Sequence, residues 1–162
     1  MHWVIYCDGS CRGNGTKDAV GAWAFVILQD DKIMGQFACP ERNTTNQRME
    51  LSAFYYAMYA VSFMVKEGDT VEINTDSAYL CNCFSQKWYE KWEANGWVNS
   101  KRQPVANQDL WIKILPFIKN ARARVQKCKG HSGDKWNEYV DKLAQEASAE
   151  ELENVRDNNP SV

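Results

Sequence analysis

No stretch of this 162-residue chain approaches the roughly 20 consecutive apolar residues that a helix needs to cross a bilayer. The start, MHWVIYCDG, lacks a basic segment followed by a long apolar run, so no secretory signal is read there. Patterned sulfur is missing too. Six cysteines, at positions 7, 11, 39, 81, 83 and 128, form no CxxC pair, and only two histidines are available to complete a zinc site. Reduced thiols in a cytoplasm are the expectation, with no membrane segment. Strong charge of one sign is also absent, since the net charge is −2. Residues 146–162 hold five acids (Glu146, Glu150, Glu151, Glu153, Asp157) against Arg156, a net −4, which leaves the rest at +2. A mildly basic body is compatible with nucleic acid without requiring it. The polar end, NNPSV, lacks periodicity, so a single domain is expected over residues 1–151, followed by an unstructured acidic tail at 152–162.

What is present begins with WVIYCDGSCRGNG, Trp3 to Gly15. Its first half is β-branched and aromatic on both parities, which reads as a strand buried on both faces and central to a sheet. Asp8 closes that run, and Gly9, Ser10, Gly13 and Gly15 turn the chain. AVGAWAFVILQ and KIMGQFACPE, separated by Asp30 and Asp31, read as a hairpin, so the first three strands should be antiparallel, with Pro40 ending the third. In TTNQRMELSAFYYAMYAVSFMVKEG, helical intervals link Met49, Phe54, Ala57, Met58, Val61 and Val65. Thr44 and Gln47 match a capping box and Gly68 is the expected stop. Glu50 falls in the first turns of this helix.

DTVEINTDSAY repeats the opening pattern, a strand ending on an acid, here Asp76. A strand, crossover helix and strand favour parallel pairing, which sets Asp76 beside Asp8 at one sheet end, where open α/β sheets bind ligands. The following segment is rich in tryptophan (Trp88, Trp92, Trp97, Trp111), interleaved with Lys87, Lys91, Lys101 and Arg102. Either the rings pack inward on short amphipathic helices, or they serve with the cations as a surface for phosphates, sugars and bases. A helix over Gln108 to Asn120 should be distorted or shortened by Pro116. After the strand ARVQKC, Gly130 and Gly133 bracket His131 in a loop expected to be mobile. Asp134 can cap a last helix with Trp136, Val140, Leu143 and Ala147 as its apolar stripe and Asp141 at the stripe's border.

Singly, each acid has an ordinary explanation: a turn former, a helix-dipole partner, a solvated helix residue. Together, Asp8, Glu50, Asp76 and Asp141 converge only if the helices cover the sheet near those strand ends, and such a cluster demands a divalent cation. All-oxygen ligation suits Mg²⁺ or Mn²⁺ rather than zinc, and two such ions make a phosphoryl-transfer site.

YCDGSCRGNG, TTNQRMEL, INTDSAY, PVANQDLW and KGHSGDKWNEYVDKLA, in this order, resemble the motifs of type 1 ribonuclease H, from about Trp3 to Ala149. The resemblance implies an α/β fold of the ribonuclease H kind: a five-stranded mixed sheet flanked by helices, with strands 1–3 antiparallel and strands 1, 4 and 5 parallel. It implies an endonuclease that cuts the RNA strand of RNA–DNA hybrids with two Mg²⁺ ions, Mn²⁺ substituting, and leaves 5′-phosphate and 3′-hydroxyl ends. Asp8, Glu50, Asp76 and Asp141 then match the metal-binding tetrad, and His131 the loop histidine that moves a proton or aids product release. Cys11, Asn14, Asn46 and Gln47 match contacts to RNA near its 2′-hydroxyls, and Thr45 and Asn107 a grip on a DNA phosphate. Residues 88–102 resemble the basic protrusion that holds the DNA strand, with Trp88, Ser100, Lys101 and Arg102 as contacts. Ala78 stands where bacterial members often have glutamine, and Glu90 and Glu93 dilute the protrusion's charge. With no added hybrid-binding domain or polymerase, the chain looks like the stand-alone bacterial or phage form, expected to act as a monomer without an obligate protein partner. An integrase or transposase of the same fold would place a Glu on the last helix and would not need Glu50. A non-catalytic hybrid-binding module would be expected to have lost an acid.

Overall fold

The computed structural model describes residues 1–14, 16–120, 123–127 and 134–158. The chain runs β1 (His2–Arg12), β2 (Val20–Gln29), β3 (Lys32–Arg42), α1 (Asn46–Ser62), β4 (Thr70–Thr75), α2 (Ala78–Ser85), α3 (Trp88–Ala94), α4 (Gln108–Asn120), β5 (Ala123–Lys127) and α5 (Lys135–Asn158). The strands form one mixed sheet in the order β3-β2-β1-β4-β5. β1 pairs antiparallel with β2 and β2 with β3, whereas β1, β4 and β5 run parallel. Asp30 and Asp31 turn the first hairpin with φ of 50° and 60°, the left-handed pair a two-residue loop needs and that Asp tolerates.

One parity of the central strands (Trp3, Ile5, Cys7, Trp23, Phe25, Ile27) packs under α1 and α4, in a core with Leu51, Phe54, Trp111 and Ile114. Each such side chain contributes about 1.5–3 kcal/mol by leaving water. The opposite face is lined by Ala22 and Ala24, which meet Val140 and Ala144 of α5. Four small or short side chains let that helix lie close to the sheet.

Several boundaries differ from the sequence reading. The N-cap of α1 is Thr45, whose Oγ1 accepts from Arg48 N–H at 3.2 Å; Thr44, expected in that role, is buried one residue earlier. α1 ends at Ser62 rather than continuing toward Gly68, because Phe63 and Met64 N–H turn back to Ala60 and Val61 carbonyls and Lys66 N–H is captured by Asp69. Gly68, at φ +91°, belongs to the turn into β4. Pro40 does not end β3, which continues to Arg42; β3 is an edge strand, where a missing N–H costs no ladder bond. Pro116 sits within α4 without shortening it. The carbonyl that it deprives of a partner belongs to Ile112, an exposed residue that water reaches. α5 runs on to Asn158, so the segment expected to be unstructured after Leu152 is helical as far as it is described. A Glu151–Arg42 ion pair of 2.6 Å ties that end to β3, and neither Gly nor Pro interrupts the helix before Pro160.

Candidate active site

The parallel register ends at Tyr6 and Asn74, so Asp8 and Asp76, each two residues further on, stand side by side where β1 and β4 part. Contrary to expectation, β1 itself does not turn at Gly9 and Ser10 but stays paired with β2 to Arg12. Asp8 shares its parity with Tyr6, and its pairing partner Ala24 lies in the small-residue patch beneath α5. The close approach of α5 brings Asp141 within hydrogen-bonding reach of Asp8. Gly9 admits the fourth acid: a Cβ there would collide with the backbone of Met49 and Glu50. Only a residue without a side chain lets the first turns of α1 rest on β1.

Asp8 is 5 % exposed. Burial, then the Asp76 charge and the hydrogen bond and charge of Asp141, push its pKa up to about 9. Burial likewise raises Glu50; a hydrogen bond from Ser77 opposes the rise and the Asp76 charge adds to it. Acids from β1, α1, the end of β4 and α5 thus act on one another, Asp76 and Asp141 on Asp8 and Asp76 on Glu50. Among the described residues, no group of three or more His, Cys, Asp or Glu side chains is spread as a ready cage for an ion. Asp76 and Asp141 lie close enough to the Asp8 carboxyl to favour its protonated form. An all-carboxylate donor set with a buried, proton-holding member fits a hard divalent cation displacing that proton.

Beside the acids lies an open groove of about 720 Å³ lined by Asn14, Thr45, Asn46, Gln47, Glu50, Asp76, Ser77, Tyr79 and Asn107, among others. Asn14 Oδ1 accepts from Asn46 N–H at 3.0 Å, joining the turn after β1 to the start of α1. Asn107 Nδ2 donates to Gln47 Oε1 at 3.5 Å. Cys11 is half-buried, its Sγ donating to the Thr44 carbonyl at 3.4 Å. The groove wall is therefore amide and hydroxyl, suited to phosphate and sugar oxygens.

Trp88, Ser100, Lys101 and Arg102 lie on α3 and the loop after it and do not line that groove. Trp88, Trp92 and Trp97 pack partly against the main core, Trp88 edge-on to Tyr79 and Trp92, while Lys87, Lys91, Lys101 and Arg102 are exposed. The rings form the support and the cations the surface. His131 and its flanking Gly130 and Gly133 lie outside the described residues. A separate apolar cavity of about 410 Å³, lined by Met58, Val61, Val65, Val71, Pro116 and Phe117, among others, occupies the far end of the sheet, away from the acid cluster.

Two contacts carry no mark in the motif reading. Ser77 Oγ donates to Glu50 Oε2 at 2.6 Å, and Arg48 grips Asp109 with two bonds of 2.8 and 3.0 Å while reaching Asn107 Oδ1 at 3.4 Å. Ser77 precedes the apolar run AYLCNCF, which signals a helix cap; the pairing of Arg48 with Asp109 has no local signal.

A mixed sheet with acids converging from two adjacent parallel strands, where they part, and from two covering helices defines the ribonuclease H-like class. The family model for RNase H matches residues 1–149, and the chain belongs to that family. It is 44 % identical over 144 residues to a Ribonuclease H of Syntrophomonas wolfei, covering 89 % of this chain and 94 % of that protein. A Ribonuclease H of Clostridium botulinum is 39 % identical over 150 residues, covering 91 % and 95 %. Among solved structures, LC9-RNase H1, described as a type 1 RNase H with the type 2 active-site motif, superposes with a TM-score of 0.76 at 25 % identity, covering 91 % of this chain and 72 % of that one. The PFV RNase H domain superposes at 0.74 with 26 % identity, covering 91 % and 94 %.

Proposed function

We propose that this protein is an endonuclease that hydrolyses the RNA strand of RNA–DNA hybrids, using Mg²⁺ or Mn²⁺ held by Asp8, Glu50, Asp76 and Asp141. The observation that carries the reading is the gathering of these acids, one of them buried with its pKa raised to about 9, beside a groove lined by amides and hydroxyls in a chain of the RNase H family. Bound there, two divalent ions would supply a water activated for in-line attack and stabilise the leaving 3′-oxygen, giving 5′-phosphate and 3′-hydroxyl ends.

The chain's own residues do the rest. Asp8, whose carboxyl favours its protonated form in the metal-free fold, would hold a cation as the carboxylate, which would couple ion affinity to pH. Cys11, Asn14, Asn46 and Gln47 read the RNA strand near its 2′-hydroxyls, Thr45 and Asn107 hold a DNA phosphate, and Trp88, Ser100, Lys101 and Arg102 steady the DNA strand further along. Demanding 2′-hydroxyls on one strand and deformable DNA on the other rejects both pure duplexes. His131 accepts the proton of the attacking water or helps product leave. The catalytic domain, which includes α5 to Asn158, acts as a monomer in the cytoplasm, where the described cysteines, none in a disulfide, stay reduced. No described helix is long and apolar enough to cross a membrane.

The direct test is an end-labelled RNA–DNA hybrid incubated with Mg²⁺, with Mn²⁺ and with EDTA. Cleavage confined to the RNA strand and to the metal lanes is expected; cutting in EDTA, or of duplex DNA, refutes the reading.

A further inference from the structure

Ser77 is buried, 4 % exposed, in the turn between β4 and α2. Its Oγ accepts from Leu80 N–H at 3.2 Å, which makes it the N-cap of α2. A hydroxyl has one proton, and here it points at Glu50 Oε2, 2.6 Å away. The serine is itself fixed, because its N–H donates to Thr75 Oγ1 at 3.1 Å and Thr75 is buried in β4. Glu50 comes from a different element, α1, and its long side chain has rotamers that lead away from the neighbouring Asp76 charge.

We infer that Ser77 is a positioning residue for Glu50, holding Oε2 so that the carboxylate offers a cation its other oxygen alone. The inference rests on the reading of Glu50 as a cation ligand. It joins ligands from two elements through one hydroxyl: Asp76 and Ser77 are consecutive, so the turn that aims one acid also aims the other. It also bears on which ion is taken. A glutamate limited to one oxygen suits a small octahedral ion such as Mg²⁺ or Mn²⁺, whereas Ca²⁺ readily takes both oxygens of a carboxylate.

The test is calorimetric titration of the metal-free, full-length protein with Mn²⁺ and separately with Ca²⁺, without substrate. Ser77→Gly removes the hydroxyl while keeping a residue that caps helices almost as well, and Ser77→Ala removes both functions. Mn²⁺ affinity should fall about 10-fold in each, as for other outer partners of metal ligands, with Ca²⁺ affinity falling less, so that the preference for Mn²⁺ narrows. Ser77→Thr, which keeps the hydroxyl, should restore it, and Ser77→Gly should add nothing in a Glu50→Gln background. An unchanged Mn²⁺ to Ca²⁺ preference in Ser77→Gly, or the same loss with and without Glu50, overturns the inference. Wild-type protein that binds neither ion overturns the cation reading itself, a separate and recognisable failure.

Discussion

Two buried aspartates stand at opposite ends of the β1–β4 pair. Asp69, just before β4, accepts from the Met1 ammonium at 2.8 Å, from Trp3 Nε1 at 3.0 Å and from Lys66 N–H at 2.9 Å. These donors, led by the amine, hold its pKa well below the usual carboxylate range. Asp8, at the other end, faces acids, and its pKa goes the other way, to about 9. Burial is the largest cause of the rise at Asp8, and the neighbouring acids add to it, whereas at Asp69 the donated hydrogen bonds and the ammonium charge outweigh a smaller cost of burial. Asp69 is complete within the fold and reads as structure. Asp8 is complete only with something the chain does not contain, and that incompleteness marks function.

The strongest way to break the contrast is Asp8→Asn. It keeps the shape and removes charge that a cation requires, so turnover should nearly vanish while hybrid binding persists; the labelled-hybrid assay alongside a binding titration measures both. His131→Ala should lose less, roughly the 10²- to 10⁴-fold typical of acid–base help, with the pH profile flattened between about 5 and 8 and Mn²⁺ affinity unchanged. Full-rate cutting by that variant at every pH would remove His131 from the chemistry.

Stability of the metal-free protein should sharpen the comparison through its sign. Native Asp8 keeps a proton that the unfolded chain releases above about pH 4, so its contribution is present in acid and lost as pH rises toward 9. Asp8→Asn should therefore stabilise the metal-free fold at pH 7–9, by at least about 1 kcal/mol or about 2–4 °C in Tm, and make little difference at pH 4. Asp69→Asn should do the reverse, destabilising near neutrality with a loss that fades as pH falls through the depressed native pKa. Thermal melts of both variants across pH decide it; parallel curves would refute the contrast. The smallest effect belongs to the exposed cations. Lys101→Ala with Arg102→Ala should reduce the slope of log affinity against log salt by up to about 2 and leave turnover at saturation intact.

Much of this arrangement was legible because it depends on pattern. The apolar runs leading to an acid and the change from period two to period 3.6 were enough to set Asp8 beside Asp76 and Glu50 early in a helix, although β1 continues past Asp8 to Arg12. The misreadings came where a single side chain overrules periodicity: Asp69 capturing Lys66 N–H ends α1 early, and Glu151 with Arg42 holds α5 in place past Leu152. Ser77 and the Arg48–Asp109 pair escaped notice as site elements because their partners, Glu50 and Asn107, are remote in sequence. Gly9 was read as a turn former, whereas it lies within β1 and its bare Cα makes room for the backbone of Met49 and Glu50.

The patch beneath α5 has a consequence for synthesis. Ala22 and Ala24 on β2 are covered by Val140 and Ala144, so while a ribosome is still translating, the sheet has one apolar face open and the site lacks Asp141. A nascent chain therefore passes through a stage in which the strands can pair but the acid cluster is unfinished, the stage most exposed to misassociation. Tethered chains stalled before residue 134 are predicted to leave hybrid uncut, and chains extended until α5 clears the exit tunnel to cut it. Measured along a series of stalled lengths, onset of cleavage would then report docking of the last helix; cleavage by the shorter chains would show that the site does not wait for it.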